Sequence, residues 1–263
     1  MGRGALRLAT IAVLVFLYVP IGIIALYAFN ANRAQTWPIT KYTTDWFAAA
    51  LDNEGVRAAF GLSLTVAFWA MATALVLGSL AALAVHRYRF FGRDALSFAL
   101  ILPIALPGIV TAIALNSSVH ALDVQFGTLT IVVGHATFCV VVVYNNVVAR
   151  LRRTSASIEE ASMDLGADTW QTFRYVTFPV IRTALLAGGM LAFALSFDEI
   201  IVTQFTAGTQ ETIPIWILNH LHQPNQRSIV NVVALFLILL STLPVYLANR
   251  LTTDTSSGAA GRL

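Results

Sequence analysis

The chain is poor in charge. Only 11% of its 263 residues are Asp, Glu, Lys or Arg, whereas 57% are hydrophobic. A soluble domain carries about 25% charged residues. A chain with so little charge cannot cover a water-facing surface, so the composition excludes an ordinary soluble domain and predicts a polytopic membrane protein.

Cysteine and lysine occur once each, as Cys139 and Lys41. A single cysteine excludes an internal disulfide bond, and with His135 it supplies only two metal ligands, so we predict no metal site. A phosphate-binding P-loop needs the pattern Gly-x-x-x-x-Gly-Lys-Ser/Thr, which Lys41 does not complete because Thr40 precedes it. The chain is therefore no ATPase by that route, and a pump containing it would take its energy from another subunit.

Long apolar runs take the place of the missing charge. Each is near the length of about 20 residues that a membrane-spanning helix requires. The predicted spans cover residues 8–29, 58–85, 94–116, 128–149, 181–206 and 229–249. We therefore predict an all-α fold with six transmembrane helices.

The basic residues predict the orientation of these spans. With the N-terminus inside the cell, twelve of the sixteen basic residues lie in cytoplasmic segments and four lie outside. Cytoplasmic loops of membrane proteins carry this excess, so both termini are predicted to be cytoplasmic. The net charge of +3 reflects the same asymmetry, and no basic stripe is interleaved with aromatic residues, so we predict contact with lipid and none with nucleic acid.

The longest polar interval between two apolar runs spans residues 154–179 and predicts a helix, a glycine corner and a second helix. Ser157 and Glu160 have the spacing of a capping box, which begins a helix. Gly166 suits the left-handed conformation that ends one. The capping spacing returns at Asp168, so a second short helix follows toward the end of the interval.

This interval resembles the EAA loop of permease subunits of bacterial ABC importers, whose pattern is Glu-Ala-Ala, then Gly, then Ile-x-Leu-Pro. The residues that carry the resemblance are Glu160, Ala161, Ser162, Gly166, Val176, Phe178 and Pro179. Three of them depart mildly from the pattern, because Ser, Val and Phe replace the second Ala, the Ile and the Leu. The resemblance implies that Glu160, Ala161, Gly166 and Pro179 belong to a coupling element that docks on a cytoplasmic ATPase.

The resemblance also implies an architecture and a set of partners. It covers about residues 58–249, the core of the type I (MetI-like) importer fold, preceded by an additional helix and an external loop in residues 1–57. Residues 250–263 would form a cytoplasmic tail, expected to be disordered from Thr252 onward. Such a permease sits in the cell inner membrane with a second permease subunit as a heterodimer, two ATP-binding cassette subunits and an extracytoplasmic solute-binding protein. The chain itself would bind no cofactor, since its partners use the ATP.

Two prolines, Pro103 and Pro107, interrupt the third predicted span. Each removes a backbone donor, so together they must kink or break the helix. A kinked helix can line a pathway or simply accommodate its neighbours, and the residues leave both interpretations open.

Asp198 and Glu199 are adjacent acids within the fifth predicted span. A carboxylate there costs at least about 2.5–3.5 kcal/mol, so it should face a bundle interior, a partner or a wet path. We expect one to line a path and the other to meet a neighbouring helix, with purely structural contacts as the alternative. His135 lies at a similar depth, about 10–12 Å below the outer edge; it could reach Asp198, but a core histidine is favoured.

The stretch 195–199, together with 205–208, resembles the spermidine/putrescine branch of these permeases. Acids suit an ammonium substrate because they offset the cost of removing its water. The resemblance thus implies a polyamine importer subunit and no enzyme, with another small organic solute as the alternative. An intramembrane enzyme would need two opposing carboxylates, which the spans lack, and a channel would leave the loop at 154–179 unexplained.

Overall fold

The computed structural model describes residues 2–155 and 157–260, and the regular structure of this part of the chain is helical. The elements in chain order are α1 Arg3–Ala28, α2 Asp45–Asp52, α3 Glu54–Arg87, α4 Arg93–Ala105, α5 Gly108–Ala121, α6 Thr128–Leu151, α7 Ser157–Asp164, α8 Thr169–Thr172, a π-helical segment Phe173–Thr177, α9 Phe178–Phe197, α10 Ile201–Thr206, α11 Ile213–His220 and α12 Arg227–Ala260. The predicted all-α fold is confirmed.

Five helical runs in this part of the chain are long and apolar enough to cross a membrane. They are α1, α3, α6, the run from Thr169 to Phe197, and α12 up to Arg250. The bent pair α4 and α5 makes a sixth. By length and composition, the described part of the chain therefore has five candidate spans, and the predicted six if the bent pair is counted as one span.

The third span is broken rather than kinked. Its halves α4 and α5 meet at 106°, and the chain turns at Leu106 and Pro107, which both have extended backbone. The proline ring forces the preceding residue out of the helical region, so the helix stops at Ala105. Pro103 lies inside α4.

The fifth span differs from its predicted range of 181–206 at both ends. Its helical run begins at Thr169, because α8, the π-helical segment and α9 follow one another without a gap. It stops at Phe197, and the chain becomes helical again only from Ile201 to Thr206, in α10. The acids Asp198 and Glu199 therefore lie in a break between two helices.

The tail prediction is wrong for most of its length. Helix α12 continues through Ala260, whereas disorder was expected from Thr252. Residues 261–263 lie outside the described residues. The sequence from Thr252 contains no proline that would end the preceding helix, so a helix already formed can extend through it.

One compact unit comprises residues 1–61 and 211–240. Its core includes Ala28 at the end of α1, Trp216 of α11 and Val232 of α12, all nearly inaccessible to solvent. The Trp46 indole N–H donates to the carbonyl of Asn30 at 2.9 Å, which fixes the connection between α1 and α2. The rest of α1 exposes apolar side chains, as a helix surrounded by hydrocarbon does.

The other unit comprises residues 62–210 and 241–263, and α6 is its central helix. Fourteen of the 24 residues of α6 are buried. Small residues allow its neighbours to approach closely, as membrane helices commonly require. A Cβ atom on Gly188 of α9 would lie 3.3 Å from the Val143 Cα, and one on Gly78 of α3 would lie 2.8 Å from the Val140 carbonyl oxygen.

Replacement of Gly78 by Ala is expected to destabilise this unit by about 1–3 kcal/mol, the usual cost of overpacking a close contact. The clash is with backbone, which cannot rotate away. Thermal unfolding of the detergent-purified protein measures the effect. Gly61→Ala on the same helix is the matched control, since a Cβ there meets nothing within 4 Å. Equal melting temperatures for the two variants would contradict the prediction.

Candidate functional site

The polar interval at residues 154–179, hereafter the loop, turns sharply at Gly166. This residue has φ +89°, a left-handed conformation that costs glycine little. Its N–H donates to the carbonyl of Met163 at 2.9 Å, and the next N–H, of Ala167, donates to Ser162 at 3.2 Å. This pair of bonds is a Schellman motif, which ends α7 and satisfies its last carbonyls.

Of the two predicted capping boxes, the one at Asp168 forms and the one at Ser157 does not. Asp168 and Gln171 form theirs reciprocally: the Asp168 carboxylate accepts from the Gln171 N–H at 2.7 Å, and the Gln171 side chain accepts from the Asp168 N–H at 2.9 Å. Ser157, in contrast, is already the first residue of α7. Its hydroxyl group lies 2.7 Å from that of Ser155 rather than pairing with Glu160 as predicted.

Pro179 lies in the first turn of α9, directly after the π-helical segment. Proline lacks an N–H group and its ring clashes with the carbonyl four residues earlier. A wider π turn relieves such a clash because each N–H reaches five residues back, as the Phe178 N–H does to Phe173. The second loop helix therefore does not stop at Pro179 but continues into the fifth span.

Glu159 joins the loop to two other helices. Its Oε2 accepts from Arg87 Nε at 3.0 Å and lies 2.8 Å from Arg87 Nη2, at the end of α3. Its Oε1 accepts from the hydroxyl group of Thr177 at 2.5 Å, in the π-helical segment. One carboxylate thus connects α7 with the third helix and with the base of the fifth span. The sequence alone does not indicate this role, because Arg87 is 72 positions away and no local spacing predicts the contact.

The outward side of the loop is both apolar and polar. Glu160 and Ala161 are exposed, and so are Leu165 at 90%, Tyr175 at 71% and Trp170 at 64%. Exposed large apolar side chains such as these are available to a partner.

The three residues Asp198–Ile200, which join α9 to α10, form the second part of the site; we call them the elbow. Glu199 uses its carboxylate as a helix cap, since Oε1 accepts from the N–H of Val202 at 3.0 Å. The Asp198 side chain is exposed and makes no side-chain hydrogen bond or ion pair with another described residue. The two acids therefore differ in role, and Asp198 is the one available to a ligand.

His135 of α6 bridges the elbow. It is fully buried, with Nδ1 2.8 Å from the hydroxyl group of Ser196 and Nε2 2.8 Å from that of Thr203. These partners lie on opposite sides of the break, one in α9 and one in α10. The expected core histidine is thus present, and its bonds go to residues flanking Asp198 rather than to Asp198 itself.

The far end of α10 is held by side chains as well. The Asn116 side chain of α5 donates to the carbonyl of Phe205 at 2.7 Å. The Thr130 hydroxyl group of α6 donates to the carbonyl of Thr206, also at 2.7 Å. Both carbonyls belong to the last turn, where a helix has no internal donors.

The two broken spans meet at their breaks. A Cβ atom on Gly108, the first residue of α5, would lie 3.9 Å from Ile201 Cδ1, the first residue of α10. Pro107 therefore lies close to the elbow in space although about ninety positions separate them in sequence. In the part of the chain that the structure describes, no three His, Cys, Asp or Glu side chains are grouped to hold a metal ion.

The family described as "Binding-protein-dependent transport system inner membrane component" matches residues 74–255. The chain belongs to this family and is a multi-pass membrane protein, a transporter subunit rather than an enzyme.

Relatives and solved structures agree with this assignment. The putrescine transport system permease protein PotI of Escherichia coli K12 is 36% identical over 205 residues, 75% of this chain and 72% of PotI. The spermidine/putrescine transport system permease protein PotC of the same strain is 32% identical over 252 residues, 95% of this chain and 94% of PotC. A chain of a bacterial ABC transporter that imports the acidic polysaccharide alginate has the same fold, with a TM-score of 0.71, 16% identity, and coverage of 97% of this chain and 98% of that chain.

Substitution of Glu159 by Gln is expected to loosen the loop. The ion pair with Arg87 joins partly exposed groups, and such ion pairs contribute about 1 kcal/mol at most. Amide hydrogen exchange in residues 157–177 should therefore accelerate by up to about fivefold. Glu160→Gln is the control, because that neighbour is exposed. The same exchange rates in both variants would mean that Glu159 does not hold the loop.

Proposed function

We propose that this chain is the permease subunit of an ATP-driven importer for polyamines such as putrescine and spermidine, forming half of the translocation path. The observation that carries the proposal is the Asp198 carboxylate, exposed in the break between α9 and α10 directly after the fifth span. An acid in that position is costly unless it has a function or a partner. The names of the PotI and PotC transport systems, which include putrescine, support the same solute class.

The electrostatics of the elbow favour a cation. Helix α9 ends there, and the C-terminal end of a helix carries about half a negative charge. Helix α10 begins there, and the Glu199 carboxylate offsets the positive end of its dipole. What remains for a ligand is the charge of Asp198, which suits an ammonium group that must lose water as it crosses the membrane.

The loop is proposed to couple transport to ATP hydrolysis. Glu160, Ala161, Gly166 and Pro179 would belong to an element that docks on the ATPase, with Leu165, Trp170 and Tyr175 as its apolar contacts. Support comes from their exposure and from the capped, rigid geometry of the loop. The chain would bind no cofactor, since ATP would be used by the partner subunits.

The full assembly is proposed to contain a second permease subunit, two ATP-binding cassette subunits and an extracytoplasmic solute-binding protein. The family description, which names binding-protein-dependent transport, supports the last of these. We further propose that the protein lies in the cell inner membrane with both termini and the loop on the cytoplasmic side. The excess of arginine in those segments supports this orientation.

Uptake of radiolabelled putrescine and spermidine tests the solute. In cells that express the chain with its partner subunits, Asp198→Asn should reduce uptake about tenfold or more at equal membrane abundance, since bonds to charged groups contribute about 1.5–3 kcal/mol. Asp123→Asn, a change of the same chemistry after α5, should leave uptake unchanged. Uptake of neither polyamine by the wild type would favour another small organic solute.

Replacement of Gly166 tests the coupling role. Pro cannot adopt φ +89° and has no N–H for the bond to Met163, so Gly166→Pro should abolish uptake while ATP hydrolysis by the assembly persists. Gly166→Asn is the matched control, because Asn tolerates the left-handed conformation, and it should retain most of the uptake. Normal uptake by the Pro variant would refute the coupling role.

A further inference from the structure

Three hydrogen bonds run in one direction across the elbow. The Thr203 hydroxyl group donates its single hydrogen to the carbonyl of Glu199 at 2.9 Å. It must therefore accept from His135 Nε2, which lies 2.8 Å away. The other ring nitrogen of neutral histidine is then an acceptor, so the Ser196 hydroxyl group donates to Nδ1 at 2.8 Å. This order assigns the proton of the neutral ring to Nε2.

These three hydrogen bonds, from Ser196 through His135 and Thr203 to the Glu199 carbonyl, are called the relay, and they hold the chain on both sides of Asp198. Ser196 precedes it by two residues, and the relay ends on the carbonyl of Glu199, the residue that follows it. The Glu199 carboxylate is held separately, by the N–H of Val202. The backbone on either side of Asp198 is thus fixed from α6, while its own carboxylate makes no side-chain bond to another described residue.

The approach of α6 to the elbow depends on a residue without a side chain. A Cβ atom on Gly134 would lie 2.8 Å from Val202 Cγ1, so a side chain there would force the Val202 side chain or α10 to shift. The next residue, His135, is consequently near enough to reach both flanking helices. Its ring also packs against Phe138, with ring centroids 5.6 Å apart, which limits the rotation of the imidazole.

We propose that His135 is a positioning residue for transport: it fixes the elbow so that the Asp198 carboxylate is presented to the solute in one place. This inference rests on the proposed function for its solute. The clamp, by which we mean the two bonds from His135 to Ser196 and Thr203, is a property of the chain itself. A carboxylate on an unrestrained connection would lose conformational entropy on binding an ammonium group, and a fixed one does not.

Conservative variants separate the two bonds of His135. In His135→Gln the amide N–H₂ group can take the place of Nε2 and donate to Thr203, whereas in His135→Asn the amide oxygen can take the place of Nδ1 and accept from Ser196. Only the first keeps the relay that ends on Glu199. His135→Gln should therefore retain more putrescine uptake than His135→Asn. Thr203→Val should likewise reduce uptake more than Ser196→Ala.

The structural arm of the test needs no solute. The native cysteine is first replaced by Cys139→Ser, which keeps a donor for the carbonyl of Ala192 that the thiol contacts. A nitroxide is then attached through Asp198→Cys, and its mobility is read from the spectrum of the full chain in lipid nanodiscs. Addition of His135→Ala should increase mobility at this position. A nitroxide attached through Leu186→Cys, at an exposed position of α9, should not respond.

The functional arm uses putrescine uptake by the whole assembly, with Asp198 in place. His135→Ala should raise the KM about fivefold to tenfold, the effect of losing one or two buried hydrogen bonds, with a smaller change in maximal rate. His135→Gln should restore most of the affinity. A merely structural role would instead lower the maximal rate with the amount of folded protein and leave the KM unchanged.

Each outcome has a distinct meaning. Unchanged nitroxide mobility in His135→Ala, or an equal increase at positions 198 and 186, would overturn the clamp. A clamp seen by the nitroxide but an unchanged KM for a transported polyamine would overturn the positioning role. If the wild type transports no polyamine, the proposed solute fails, while the nitroxide measurement still decides whether His135 holds the elbow.

Discussion

A helix that ends inside a bilayer leaves backbone groups that no water can reach, and every such group must find a partner in the protein. At the elbow, which directly follows the fifth span, side chains of this permease supply such partners. Helix α10 has only six residues, too few to stand alone. Its first turn is capped by Glu199, and its last carbonyls accept from Asn116 and Thr130. Polar side chains of α5 and α6 thus make a break in the fifth span possible.

The same constraint explains why the two interrupted spans are neighbours. Pro107 ends α4 because of its ring, and the elbow ends α9 at an acid. Gly108 and Ile201 lie close to each other, so each break covers part of the other, although Leu106, Pro107 and Asp198 stay exposed. A break in a membrane helix leaves backbone groups without their helical hydrogen bonds and adds no packing in return. Such breaks therefore commonly occur where a helix lines a pathway.

Hydropathy and periodicity were sufficient for the class of fold, because a span needs only about 20 apolar residues and every one of the six runs meets that length. Local chemistry was sufficient for the corner at Gly166 and the cap at Asp168. Contacts distant in sequence were not predictable. The apolar run through residue 206 concealed the break at Asp198. The bond of Glu159 to Arg87 and the two bonds of His135 do not follow from spacing along one helix, since these partners lie 61 to 72 positions away.

Helix α9 links the two parts of the site. At one end it continues from the π-helical segment, where Thr177 donates to Glu159 of the loop. At the other end it stops at the elbow, where Ser196 is bonded to His135. Its 20 residues span about 30 Å, and a helix is stiff over that length. A displacement of the loop by a partner would therefore reach Asp198 through one rigid element, unless α6 holds the elbow more firmly than Glu159 holds the loop.

Arg150 of α6 also donates to the carbonyl of Val180 near the start of α9, so α6 holds both ends of α9. A coupling of the loop to the elbow would then require α6, α9 and α10 to move together, since His135 of α6 is bonded to both Ser196 and Thr203.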